Sequence, residues 1–114
     1  MEKLIKIFKV LSDETRLRIV SLLAEGDLCV CQIYGVLEES QPKVSKHLAK
    51  MRDLGIVNIK KQEQYVYYSL NRESETYSMI FDLISSQRES IERLKDDYKK
   101  LYKKDEILNS CNPR

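Results

Sequence analysis

Three cysteines and one polar, basic run carry most of the chemistry open to this sequence. Cys29 and Cys31 stand two apart, and Cys111 lies close to the far end of the 114-residue chain. In a reducing compartment a Cys-x-Cys pair points to ligand or redox chemistry rather than a structural disulfide. Three thiolates would suit a pyramidal trivalent ion, whereas tetrahedral Cd²⁺ or Zn²⁺ would want a fourth ligand. Side chains two apart within a regular helix point to nearly opposite sides. Both sulfurs can therefore meet one ion only if Cys29 sits at or before a helix cap, and Gly26 and Asp27 just upstream are compatible with that. The plainer alternative makes Cys29 and Cys31 small buried apolar residues.

The second feature is the row Gln41, Lys43, Ser45, Lys46, His47 and Lys50. Net charge is only +2, but between Gln41 and Lys61 stand Lys43, Lys46, Lys50, Arg52, Lys60 and Lys61 against Asp53 alone. That local excess is an electrostatic footprint for phosphate, with a solvated helix face as the plain alternative. Gln pairs bidentately with adenine, Ser meets several base edges, and Lys reaches guanine or phosphate. His47 is the only histidine. Nothing near it in sequence supports a catalytic or metal role, and its plain reading is an exposed helix residue. Paired carboxylates, a nucleotide loop and a Cys–His dyad with an orienting third group are all missing from the pattern, so no enzyme is expected.

The elements that would position these groups follow from periodicity and punctuation. Leu4, Ile7, Phe8 and Leu11 have helical spacing. Ser12 and Asp13 cap a second helix carrying Leu17, Ile19, Val20, Leu22 and Leu23, with Gly26 placed to end it. A short third helix turns Val30, Ile33 and Leu37 inward. Ser40 and Pro42 open a fourth, which buries Val44, Leu48, Met51 and Leu54 and stops at Gly55. Beyond it the runs Ile56–Lys61 and Tyr65–Leu70 read as a β-hairpin around Gln62-Glu63-Gln64. Tyr77, Ile84, Ile91 and Tyr98 then recur at sevens, with Ile80, Leu94, Leu101 and Leu108 on the companion position. Such an a/d seam predicts one long helix packed against its own copy, the rival being a helix folded back on the core. The fold class is mainly α with a small β-hairpin. Residues 1–108 form one domain and 109–114 a tail. With 42% hydrophobic and 33% charged residues, no apolar run near the ~18 residues of a membrane span and no secretory signal, the chain reads as a cytoplasmic globular protein.

Helix, turn, helix and hairpin is the layout of a winged helix-turn-helix, whose second helix fits a major groove. Lys60 and Lys61 on the hairpin would follow the backbone into the neighbouring groove. Four ordered segments resemble ArsR/SmtB-family repressors. Residues 11–19 (LSDETRLRI) resemble that family's opening, 27–33 (DLCVCQI) its metal-binding box, 40–48 (SQPKVSKHL) its recognition helix, and Gly55-Ile56-Val57 with Tyr67-Tyr68 its wing. The resemblance spans residues 4 to 70 and implies a dimer built from the first and last helices. That interface would include Leu4, Phe8, Tyr77, Ile80, Ile84, Ile91, Leu94, Tyr98 and Leu101. It further implies repression through an inverted-repeat DNA operator, with release when a soft ion binds Cys29, Cys31 and, from the tail, Cys111. Arsenite or antimonite would be the inducer, or else cadmium or lead, and no permanent cofactor is expected.

The chain departs from the family pattern in four places. A third cysteine of the box is replaced by Tyr34, and no cysteine precedes Cys29 to serve as an N-terminal ligand. The family's zinc site on the last helix needs histidines that this chain lacks. The wing turn has no glycine, so a longer or differently shaped tip is expected, with Glu63 repelling phosphate. Two other functions remain open: a thiol-redox repressor of the same fold, in which Cys29 or Cys31 is oxidised or paired with Cys111, and a coiled-coil interaction module without DNA binding.

Overall fold

Short polar side chains fix the starts of three helices. A computed structural model describes residues 1–110. It contains α1 (Glu2–Val10), α2 (Glu14–Leu23), β1 (Leu28–Cys29), α3 (Val30–Leu37), α4 (Gln41–Asp53), β2 (Val57–Gln62), β3 (Tyr65–Leu70), α5 (Glu75–Ser86), α6 (Glu92–Lys100), a 3-10 turn (Leu101–Lys103) and α7 (Lys104–Ser110). The Asp13 carboxylate accepts the Arg16 N–H at 3.1 Å, Ser40 Oγ that of Lys43 at 3.3 Å, and Ser74 Oγ that of Tyr77 at 3.2 Å. Each satisfies one of the N–H groups a helix start leaves unpaired. Gly55, at φ +73°, turns the chain out of α4 through a region that costs other residues a clash at Cβ.

The apolar stripes meet as the periodicity predicts. Ile19, Val20 and Leu22 of α2, Ile33 and Val36 of α3, Val44, Leu48 and Met51 of α4, Ile56, Val57 and Phe81 are all essentially inaccessible. Each such side chain contributes about 1.5–3 kcal/mol by leaving water. No helix among the described residues is long and apolar enough to cross a membrane.

The sheet is larger than the expected hairpin. Its three antiparallel strands run in the order β1-β3-β2, with Leu28 opposite Tyr68 and Cys29 opposite Tyr67. A two-residue strand is too short to show any alternation, so only its partner reveals it. The wing tip corrects a second expectation. Gln62 is not in the loop but pairs with Tyr65, leaving the tight two-residue turn Glu63-Gln64. Glu63 takes φ +59°, the conformation for which glycine is the usual choice in such a turn.

The third correction concerns the last helix. It breaks after Ser86, and residues 92–110 turn back over the protomer instead of continuing the seam. Ser86 and Ser90 hydroxyls donate to the carbonyls of Leu83 and Gln87, bonds that compete with helix continuation. Arg88 then ties the bend down. It donates to the Ser21 carbonyl at 3.1 Å, pairs with Glu25 at 2.6 Å, and lies 4.4 Å from the Tyr98 ring centroid. Further along, α7 packs on α3 so closely that a Cβ at Gly35 would stand 2.9 Å from Ile107 Cγ2. The expected domain edge at residue 108 falls inside α7. Of the expected interface, Tyr77, Ile84 and Leu94 are buried within their own protomer, and Ile80 and Leu101 are half-buried. Leu4, Phe8, Ile91 and Tyr98 stay exposed.

Candidate nucleic-acid interface and thiol pair

Helix α4 packs through Val44, Leu48 and Met51, which leaves its other sides outward. Gln41, Lys43, Lys46 and Lys50 are exposed there and Ser45 is half-exposed, at and beyond the helix N-terminus. Lys60 and Lys61 are also exposed, but as neighbours in β2 they point to opposite faces of the strand. Only one of them can follow a given stretch of phosphates.

His47 is placed differently from the rest of the row. It is half-buried between α2 and α4, where its Nδ1 accepts from Arg16 Nε at 3.0 Å. Its Nε2 lies 3.8 Å from the Asp13 carboxylate. Arg16 is held in turn by the Val10 carbonyl at 3.3 Å. Burial disfavours the imidazolium, and Arg16, Lys43 and Lys46 add to that, against an opposing pull from Asp13; the His47 pKa therefore lies below its ordinary value. The unfolded chain binds this proton more readily, so the neutral ring's contribution to stability is complete above ~6.5 and is lost as pH falls through the lower folded value. The melting temperature is expected to fall between about pH 7.5 and 5.5, above the range in which carboxylates titrate, and His47→Gln to flatten that fall. Equal slopes for both proteins in a pH series of melts would refute the placement.

The turn ahead of α4 holds acids that the sequence reading passed over. Glu38 closes α3 in the left-handed region at φ 58°, and its carboxylate meets Lys100 of α6 at 2.7 Å. That partner holds it below the ordinary carboxylate range. Glu39 accepts from Lys43 Nζ at 3.0 Å and from Arg18 Nη1 at 3.1 Å. Arg18, 2% exposed, also donates to the Leu37 carbonyl at 2.9 Å and, through Nε and Nη2, to Asp97 at 2.8 and 2.9 Å. In the sequence Asp97 reads as one more polar residue of a charged helix. Only the folding back of α6 puts it 1% exposed against Arg18.

The cysteine pair sits at the junction of β1 and α3; Cys29 is a free thiol, whereas Cys31 is disulfide-bonded. Cys29 is the N-cap of α3, with extended backbone (φ −84°, ψ 166°), and Cys31 lies in the first turn. This is the placement two sulfurs need to face one ion. Gln32 Oε1 accepts the Cys29 N–H at 3.0 Å, and Gln32 Nε2 donates to the Lys104 carbonyl at 3.1 Å, so the same side chain joins the cap to α7. Tyr34, where the resemblance would put a third cysteine, donates its hydroxyl to Cys31 Sγ at 3.6 Å. Both sulfurs are nearly covered, Cys29 at 2% and Cys31 at 8% exposure. Once reduced, the two sulfurs would offer soft donors at a helix cap, suited to a thiophilic ion. Among the described residues no three of His, Cys, Asp and Glu gather as a metal cage, and Cys111 lies outside the described residues.

A family profile described as "Bacterial regulatory protein, arsR family" matches residues 13–58, from the N-cap of α2 into β2. An arsenical resistance operon repressor of Escherichia coli (strain K12) is 52% identical over 68 residues, 59% of this chain and 58% of that protein. One from Staphylococcus xylosus is 39% identical over 72 residues, 63% of this chain and 69% of that protein. Among solved structures, reduced HlyU from Vibrio cholerae N16961 superposes with a TM-score of 0.67 at 34% identity, covering 73% of this chain and 85% of that one. The chain belongs to the arsR family. Its fold is that family's winged helix-turn-helix, with α3 and α4 as the helix pair and β2–β3 as the wing. The two curated relatives are named as repressors, not as enzymes. The chain spans 53–59% of the length of the first curated relatives it matches.

Proposed function

We propose that this arsR-family chain is a cytoplasmic, homodimeric transcriptional repressor. Its α4 reads an inverted-repeat operator, and it releases the DNA when a thiophilic ion binds Cys29 and Cys31, with Cys111 as a third ligand. Arsenite or antimonite is the best match, since three thiolates complete a pyramidal site and leave tetrahedral Cd²⁺ short of a ligand. Two relatives carrying arsenical resistance in their names point the same way. The observation that carries the reading is the position of Cys29 at the cap of α3, two residues before Cys31 and one short helix ahead of α4.

The burial of both sulfurs supplies the mechanism. An ion reaches them only if the first turn of α3 opens away from β1 and from the Gln32 tether. Opening α3 shifts the Glu38–Ser40 turn, hence α4, and in a dimer alters the spacing of the two recognition helices. DNA fixes that spacing near one helical turn, ~34 Å. Ion and operator then oppose each other with a coupling of typically ~1–3 kcal/mol, or 5–150-fold in affinity.

The test is fluorescence anisotropy of a labelled duplex, selected from a random pool, titrated with arsenite under reducing conditions. Cys29→Ser and Cys31→Ser are each expected to abolish release while leaving DNA binding intact, and Cys111→Ser to weaken it. A double Cys29→Ser, Cys31→Ser variant that lets go at the wild-type arsenite concentration would overturn the metalloid reading. Release by peroxide alone would replace it with thiol oxidation.

A further inference from the structure

The acid that precedes the recognition helix is shared between a buried arginine and an exposed lysine. Glu39 stands one residue before the N-cap Ser40, at the end of α4 where phosphates are expected to gather. A carboxylate there is repelled by DNA. Yet it is built in rather than left loose: one oxygen takes Arg18 Nη1 at 3.1 Å, and Arg18 is itself fixed by Asp97 and the Leu37 carbonyl. The other oxygen takes Lys43 Nζ at 3.0 Å, so the first ammonium of the recognition helix is already engaged inside the protein. Lys43 and Glu39 are an i,i+4 pair with Lys43 nearly half exposed, an arrangement that adds little to stability.

We propose that Glu39 is a specificity-setting residue, which holds Lys43 away from DNA phosphate and so weakens binding to duplexes that α4 does not read. Resting on the DNA-binding reading above, this assigns the α3–α4 turn a role in that face. A phosphate can recruit Lys43 only by displacing a carboxylate that Arg18 keeps in place. Non-specific binding, which consists of phosphate contacts and counterion release, bears this cost in full. At a cognate site the base contacts of Gln41 and Ser45 offset it.

The experiment measures binding to a fluorescein-labelled duplex of random sequence over a series of KCl concentrations. Wild type, Glu39→Gln, Lys43→Ala and the double variant are compared, with thermal melts as a folding control. Glu39→Gln keeps the shape and removes the charge. It is expected to tighten non-specific binding about fivefold at low salt, the effect of one charge pair across water. The slope of log K against log salt should steepen by ~0.9, one phosphate contact. In the Lys43→Ala background only the direct repulsion of the carboxylate is relieved, so the gain should be clearly smaller and the salt slope unchanged. Unchanged or weaker binding by Glu39→Gln, or the same gain without Lys43, overturns the proposal. A wild type that binds no duplex at low salt would refute the DNA-reading face itself, a different and distinguishable result.

Discussion

Replacing Asp97 with alanine is expected to lower the stability of the folded chain by about 3–5 kcal/mol, because it strands a buried guanidinium. Arg18 cannot shed its charge to escape. The Asp97 hydrogen bonds hold it in the charged form against the desolvation that opposes it. After the substitution only Glu39 and the Leu37 carbonyl remain as partners, and both lie on one side of the guanidinium's fork. The measurement is a urea unfolding midpoint at fixed protomer concentration, since association would otherwise shift it. Removing both charges in an Arg18→Met, Asp97→Leu variant should recover much of the loss, as apolar replacements of buried ion pairs often do. A loss below about 1 kcal/mol for Asp97→Ala would place the pair on the solvated surface and detach α6 from the core.

That pair also marks the limit of what the sequence makes legible. Caps, apolar periods and turn residues act over a few neighbours, and they place α2, α4 and the wing strands closely. They also place Cys29 at a cap. A seam at heptad spacing says which side of a helix is apolar. It does not say what the apolar side meets, because a second copy and the protomer's own core satisfy it equally. The decision rests on contacts remote in sequence: Arg88 with Ser21, Asp97 with Arg18, Ile107 against Gly35. Each involves a residue that local reading assigns to solvent or to no role. The site shows the same division. The basic row of α4 is visible in the sequence, but Arg16 drawing His47 inward and Arg18 fixing Glu39 depend on how α2 packs against α4 and the turn before it.

If the chain dimerises as proposed, the turned-back helix leaves a different set of apolar residues to form the interface. Helix α1 buries Ile7 and Val10 and α5 buries Tyr77, Phe81 and Ile84, yet both carry a second apolar side. Leu4, Ile5 and Phe8 of α1 and Met79 and Leu83 of α5 stand open, Phe8 at 57%, Met79 at 66% and Leu83 at 61% exposure. Exposed apolar side chains on these two elements are the candidates for an association surface. Substituting Leu94, 5% exposed, with aspartate would bury a charge in the core and unfold the chain, which says nothing about assembly. Phe8→Asp with Leu83→Asp leaves the core untouched, so a folded monomer is expected in sedimentation at micromolar concentration. Each recognition helix then binds a half-site alone. The avidity of a two-headed reader is lost, and affinity for the inverted repeat should fall about 10²–10⁴-fold, while contacts within one half-site persist. A double variant that sediments as a dimer would put the interface elsewhere, with Ile91, Tyr98 and Tyr102 as the exposed apolar residues left to form it.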